Sequence, residues 1–166
     1  MQLATDTDAQ VIVGVDVSNS GSGHGKLVPM LEQMEARRGR APQDVLVDGG
    51  FASLADIQTA SAEPFGCAVY APPMAPRGAR LRGESAVGDS EAIAGRRSRM
   101  ATPEAKEIDE QRAATAERAN AQLRNRGLLR LLVRGVAKAR AILGLHALAH
   151  DLPRAVALRQ AALAAP

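Results

Sequence analysis

Three observations predict a mixed α/β fold. β-branched runs occupy residues 10–17 and 42–48, apolar residues at helical spacing lie between them, and a long alanine- and leucine-rich stretch fills the C-terminal part. The order strand, helix, strand, helix, strand signals one sheet with right-handed crossovers, followed by helices.

Residues 10–17 (QVIVGVDV) read as a strand because β-branched residues dominate, and Gly21, Ser22 and Gly23 then break the run. A short strand can precede it at the very start. From Gly25 to Arg38 the apolar Leu27, Met30, Leu31 and Met34 recur at three- and four-residue steps, and Gly39 stops the helix. Residues 42–50 (PQDVLVDGG) set a short apolar run between Pro and Gly-Gly, the pattern of a buried parallel strand with Asp48 at its C-terminal end. Ser53 caps a helix to about Ala62 with Leu54 and Ile57 inward, and residues 67–70 form a further strand.

Residues 72 to about 100 carry Pro72, Pro73, Pro76, four glycines up to Gly95 and clustered arginines without a period, which reads as a long mobile insertion. Thr102 and Pro103 open a helix that runs to Asn125 and is ended by Gly127. A second helix is expected from Leu128 to about His150, ending before Pro153, with the tail from Ala155 to Pro166 helical or frayed.

With 166 residues, 46% of them hydrophobic and no shift in composition, one domain over 1–166 is expected. Aromatic content is only 2% (Phe51, Phe65, Tyr70), so the core relies on aliphatic side chains that cover less apolar area each. Residues 1–75 hold nine acids against four bases, and residues 76–166 nine acids against seventeen, so the basic second half favours a polyanionic partner unless it is only a solvated face. Cys67, alone, excludes an internal disulfide or a cysteine-based metal cluster, and fits a reducing cytoplasm. The start MQLATDTD lacks the features of a signal peptide, and no apolar run approaches the ~18 residues of a membrane span, so a membrane role is not expected.

Asp48, at the carboxyl end of a strand, stands where α/β sheets gather functional groups, although an Asp before Gly-Gly also opens an Asx turn. Glu117, Asn120 and Arg124 share a helix face at i, i+3 and i+7: a metal ligand, a polar orienter and a phosphate contact, or an ordinary exposed stripe. Arg126, Arg130, Arg134 and Lys138 form a second stripe suited to a DNA backbone, opposite a packed face of Leu128, Leu131, Leu132, Val136 and Ile142; an amphipathic helix explains it equally. His146 and His150 share a face, but HALAH lacks the glutamate of the zinc-protease motif.

Residues 4–17 (ATDTDAQVIVGVDV), 45–51 (VLVDGGF) and 112–127 (RAATAERANAQLRNRG), followed by VRG at 133–135 and LAHDL at 148–152, resemble DDE-type transposases of insertion sequences, in the same order. The resemblance covers nearly the whole chain and is most specific around Glu117. It implies a ribonuclease H-like sheet with flanking helices, incomplete at the N-terminus, and a helical C-terminal part. It further implies that Asp48 and Glu117 are the second and third catalytic carboxylates and the metal ligands for Mg2+ or Mn2+. Arg112 and Arg124 match the family's basic positions, while Asp109 stands where the family has a tyrosine. Arg112 lies about 140° around an ideal helix from Glu117, which makes its transfer the weaker one.

The implied function is cleavage and strand transfer of double-stranded DNA, the transposon ends and the target, by two-metal phosphoryl transfer. The family's first aspartate has no counterpart in these residues, since Asp6, Asp8 and Asp16 do not match it, and Gly23 stands where similar sequences carry an aspartate. A truncated transposase, inactive alone and without the usual N-terminal DNA-recognition domain, is therefore expected. The alternative is a non-catalytic DNA-binding or regulatory fragment, as a homodimer or in mixed assembly with full-length transposase; a third is an unrelated α/β protein with a solvated basic helix.

Overall fold

The computed structural model describes residues 1–72 and 87–164. The chain divides into two compact units, Met1–Asn19 with Ala113–Pro166, and Ser20–Arg112. The fold is mixed α/β, with four strands and five helices among the described residues.

In the first unit, β1 (Gln2–Thr5) and β2 (Ile12–Asp16) pair antiparallel, with Leu3 opposite Val15 and an irregularity between Ala4 and Thr5. The short strand at the chain start is thus present. The link between them is an Asx turn, in which the Asp6 carboxylate accepts the N–H groups of Asp8 and Ala9 at 3.1 and 2.8 Å. Gln10 closes it with φ 56°, a left-handed conformation uncommon outside glycine.

Two helices complete this unit. The helix α4 (Pro103–Asn125) gives it the part from Ala113 onward, and α5 (Val136–Ala164) lies wholly within it. Ile12, Val15, Val17, Leu123, Leu128, Ala139, Leu143 and Ala147 form its core. α4 ends in a Schellman motif: the N–H of Leu128 reaches the Leu123 carbonyl at 3.0 Å, that of Gly127 reaches Arg124 at 2.9 Å, and Gly127 adopts φ 92°. Leu123 and Leu128 supply the apolar contact that accompanies this cap.

The second expected helix is displaced. It starts at Val136, not Leu128, and continues through Pro153 to Ala164. Gly127 and Gly135, both at φ near 91°, turn the chain between the helices, which prevents Leu128 from starting one. Pro153 costs a helix interior about 3 kcal/mol. Contacts on either side of it offset that cost: the Asp151 carboxylate accepts the Ile12 N–H at 2.9 Å, and Arg154 Nε donates to the Ala9 carbonyl at 2.7 Å. Leu132 and Val136, expected in the packed face, are exposed, whereas Leu128 is buried and Leu131 and Ile142 pack against the core.

The second unit holds α1 (Leu27–Arg38), β3 (Asp44–Leu46), α2 (Leu54–Ser61), β4 (Ala68–Tyr70), α3 (Glu91–Arg99) and the start of α4. β3 and β4 pair in parallel, Val45 opposite Val69. The expected single sheet is thereby corrected to two two-stranded sheets among the described residues. Pairing is decided by partners distant in sequence, which β-branched runs alone do not specify.

Leu27, Met30, Leu31 and Met34 are buried on α1 as their spacing predicts, and Gly39 caps it at φ 74°. Ser53 and Asp56 form a capping box at the start of α2, and the buried Asp56 carboxylate also accepts the Gly25 N–H at 2.9 Å. Ile57 points inward, but Leu54, expected to do the same, is exposed. Cys67 is buried; burial first, then the Asp44 and Glu35 carboxylates, push its thiol pKa up, which keeps it from acting as a thiolate.

Of the stretch read as a mobile insertion, residues 73–86 lie outside the described residues, while Glu91–Arg99 form α3. Ile93 of α3 is buried, and Arg99 sits 5.2 Å from the Tyr70 ring centroid and donates to the Val69 carbonyl at 3.0 Å. This anchoring orders a segment whose arginines carry no apolar period. Arg96 is buried as well, and burial lowers its pKa.

Candidate functional site

Asp48 stands two residues beyond the end of β3, where the expected strand still continued. The parallel pairing extends to Val47, whose N–H reaches the Tyr70 carbonyl at 2.9 Å, and a turn follows in which the Phe51 N–H meets the Asp48 carbonyl at 2.8 Å. The turn is thus closed by the backbone, not by an Asx bond. The Asp48 carboxylate is exposed and makes no hydrogen bond to the described residues.

Two glycines allow this turn its close neighbours. A Cβ on Gly49 would collide with the Pro72 carbonyl oxygen. One on Gly23 would lie 2.9 Å from Cδ2 of Phe51, so any side chain there requires the ring to move.

α4 turns Thr115, Ala119 and Leu123 inward at four-residue steps. Glu117 therefore projects outward; it is exposed and has no ion pair among the described residues. Arg124 is exposed in the same way. Asn120 Nδ2 donates to the Ala116 carbonyl at 2.9 Å, so its amide is engaged on its own helix. Arg112 is paired with Asp109 through an Nε–Oδ1 contact of 2.8 Å.

Asp48 belongs to the second unit and Glu117 to the first, and each has the same character in its own setting: a solvent-facing carboxylate on a defined backbone. No group of three or more His, Cys, Asp or Glu among the described residues is placed to hold a metal ion.

Arg126, Arg130 and Arg134 do not form the helical stripe their spacing suggested. They lie in the non-helical segment 126–135, while Lys138 alone is on α5. All four are exposed, and no hydrogen bond or ion pair engages their side chains among the described residues. The positive charge of this segment is therefore open to solvent, arranged along a loop.

Sequence reasoning set His150 beside His146 and missed the polar contacts that α5 makes. His150 is buried with Nδ1 2.8 Å from Asp151 Oδ1, and Arg140 pairs with Asp16. His150 and Arg154 follow the buried Leu143 and Ala147 at three- and four-residue steps, a polar continuation of the buried face that was the available signal.

No helix of the described residues is long and apolar enough to cross a membrane. Residues 75–156 match the family model for the transposase DDE domain. The matched segment includes Arg112, Glu117, Asn120, Arg124, Arg126, Arg130 and Arg134 and leaves Asp48 outside it. No curated protein and no solved structure matches the chain.

Proposed function

Because residues 75–156 belong to the transposase DDE family, we propose that the chain acts on DNA in the transposition of an insertion sequence, by metal-dependent cleavage and strand transfer on a ribonuclease H-like fold. The observation that carries this reading is the family match over residues 75–156, a segment that includes Glu117 on the exposed face of α4.

Asp48 and Glu117 suit magnesium or manganese in kind, being exposed oxygen donors without competing cations among the described residues. When bound, the ions lower the pKa of the attacking water or hydroxyl and stabilise the leaving oxygen. The protein's own contribution is to position: Asp48 and Glu117 as ligands, and Arg124 as the donor to a non-bridging phosphate oxygen. Asn120 and Arg112 take supporting roles, because Ala116 and Asp109 already engage them. Only two of the family's three carboxylates have counterparts in these residues, so turnover by them alone falls short by orders of magnitude.

A strand-transfer assay on end-containing duplex, with magnesium or manganese, tests the reading. Activity is expected to be residual at most and to disappear in Asp48→Asn and in Glu117→Gln. Robust turnover, or residual turnover indifferent to both substitutions, contradicts the assigned roles.

A second reading, DNA binding without catalysis, in a homodimer or a mixed assembly with full-length transposase, is favoured by the exposed Arg126, Arg130 and Arg134. It keeps the DNA partner and removes the chemistry.

A further inference from the structure

On the first unit, Thr5 and Gln10 of the β1–β2 hairpin, Arg118, Ala119 and Gln122 of α4, and His150 and Arg154 of α5 line a small open concavity of about 30 Å3. It is far smaller than the roughly 300–1,000 Å3 of sites for drug-sized molecules, which limits an occupant to a small group seated at its mouth.

Two arginines line this space and no acidic residue does. Arg154 is tied down by the Ala9 carbonyl at 2.7 Å through Nε, leaving its terminal nitrogens for another partner. Arg118 is exposed and has no hydrogen bond or ion pair among the described residues. His150 is buried, and Asp151, the one acid that touches it, is occupied by His150 Nδ1 and the Ile12 N–H. Like charges around one cavity repel, and an anion seated between them reverses the sign of that term. The hydroxyl of Thr5 and the amide of Gln122 add neutral donors, whereas the Gln10 amide donates to the Thr7 carbonyl and to Thr115 Oγ1. Gln10 also holds the left-handed backbone of the hairpin, which fixes that wall of the cavity.

We propose that this pocket binds a single tetrahedral oxyanion, a phosphate group, between Arg118 and Arg154. On an ideal helix Arg118 and Gln122 lie ~100° and ~140° around α4 from Glu117, so they belong to a different face of that helix. The phosphate can come from free inorganic phosphate or from a DNA backbone.

Thermal shift and amide NMR titrations of the full chain with inorganic phosphate, against potassium chloride at equal ionic strength, test the proposal. Phosphate is expected to saturate, to raise Tm as a native-state ligand does, and to shift the amides of Arg118, Gln122 and His150. Arg118→Gln, at an exposed position that holds nothing in the fold, is expected to weaken binding about tenfold or more. Gln122→Glu should abolish it by placing a carboxylate in the pocket. Competition by a short duplex identifies the backbone as the source and its absence identifies free phosphate; either result keeps the pocket. Equal effects of phosphate and chloride, or an Arg118→Gln titration that overlays the unsubstituted protein, overturn it. Asp48→Asn and Glu117→Gln should bind phosphate normally, which separates this result from the fate of the proposed function.

Discussion

Replacing Arg126, Arg130 and Arg134 together with alanine is expected to flatten the salt dependence of duplex DNA binding by about 2.7 in the slope of log K against log salt. Each arginine that neutralises a phosphate releases counterion equivalent to a slope of about 0.9, and the contributions add when the contacts are independent. The three side chains are exposed, have no ion pair among the described residues and lie within nine residues of one loop, so the substitution removes charge without disturbing the core. Binding should weaken most at low salt and nearly equally across sequences, because phosphate contacts carry no base information. Fluorescence anisotropy over a range of potassium chloride checks this. An unchanged slope would mean that the loop faces away from DNA.

The second large effect concerns stability. Leu143→Ala is expected to cost about 3–5 kcal/mol, the range for truncating a fully buried leucine that leaves a cavity. Leu143 has no exposed surface and shares one core cluster with Ile12, Val15, Val17, Leu123 and Leu128. No aromatic side chain belongs to this core, so neighbouring aliphatics have little surplus area with which to fill the gap. Against a total stability of about 5–15 kcal/mol, the loss leaves the unit marginal. Calorimetry should show Tm lowered by more than about 10 °C. A shift under a few degrees would show that the core collapses around the cavity.

These cases also show what was legible in the residues. α1 and its glycine cap, the Ser53 start of α2 and the Gly127 stop of α4 follow from local rules, because capping and apolar spacing act over a few neighbours. Segment 126–135 misled because LLRLLVRG keeps a helical apolar period, while the glycines at both of its ends hold left-handed backbone that outweighs the pattern. Pro153 misled in the opposite sense: Asp151 and Arg154 tether α5 to the hairpin on both sides of it, partners remote in sequence. The strands themselves were readable, but their division into two pairs depends on tertiary partners.

At the candidate site, the exposed helical placement of Glu117 was legible from the spacing of its helix face, and the family match covers that segment. The exposure of Asp48 was not, because a turn before Gly-Gly is equally well closed by a carboxylate or by the backbone, and only the structure distinguishes them. The Asp109–Arg112 pair was visible as an i, i+3 spacing, and its effect is to occupy a cation that the resemblance had set aside for DNA.

The central claim is that Asp48 and Glu117 act as ligands for a divalent metal ion. Manganese binding, followed by water-proton relaxation in the intact chain, tests it most directly. The account predicts about tenfold or greater weakening in Asp48→Asn and in Glu117→Gln. Manganese bound equally well by the substituted and the unsubstituted proteins would contradict it.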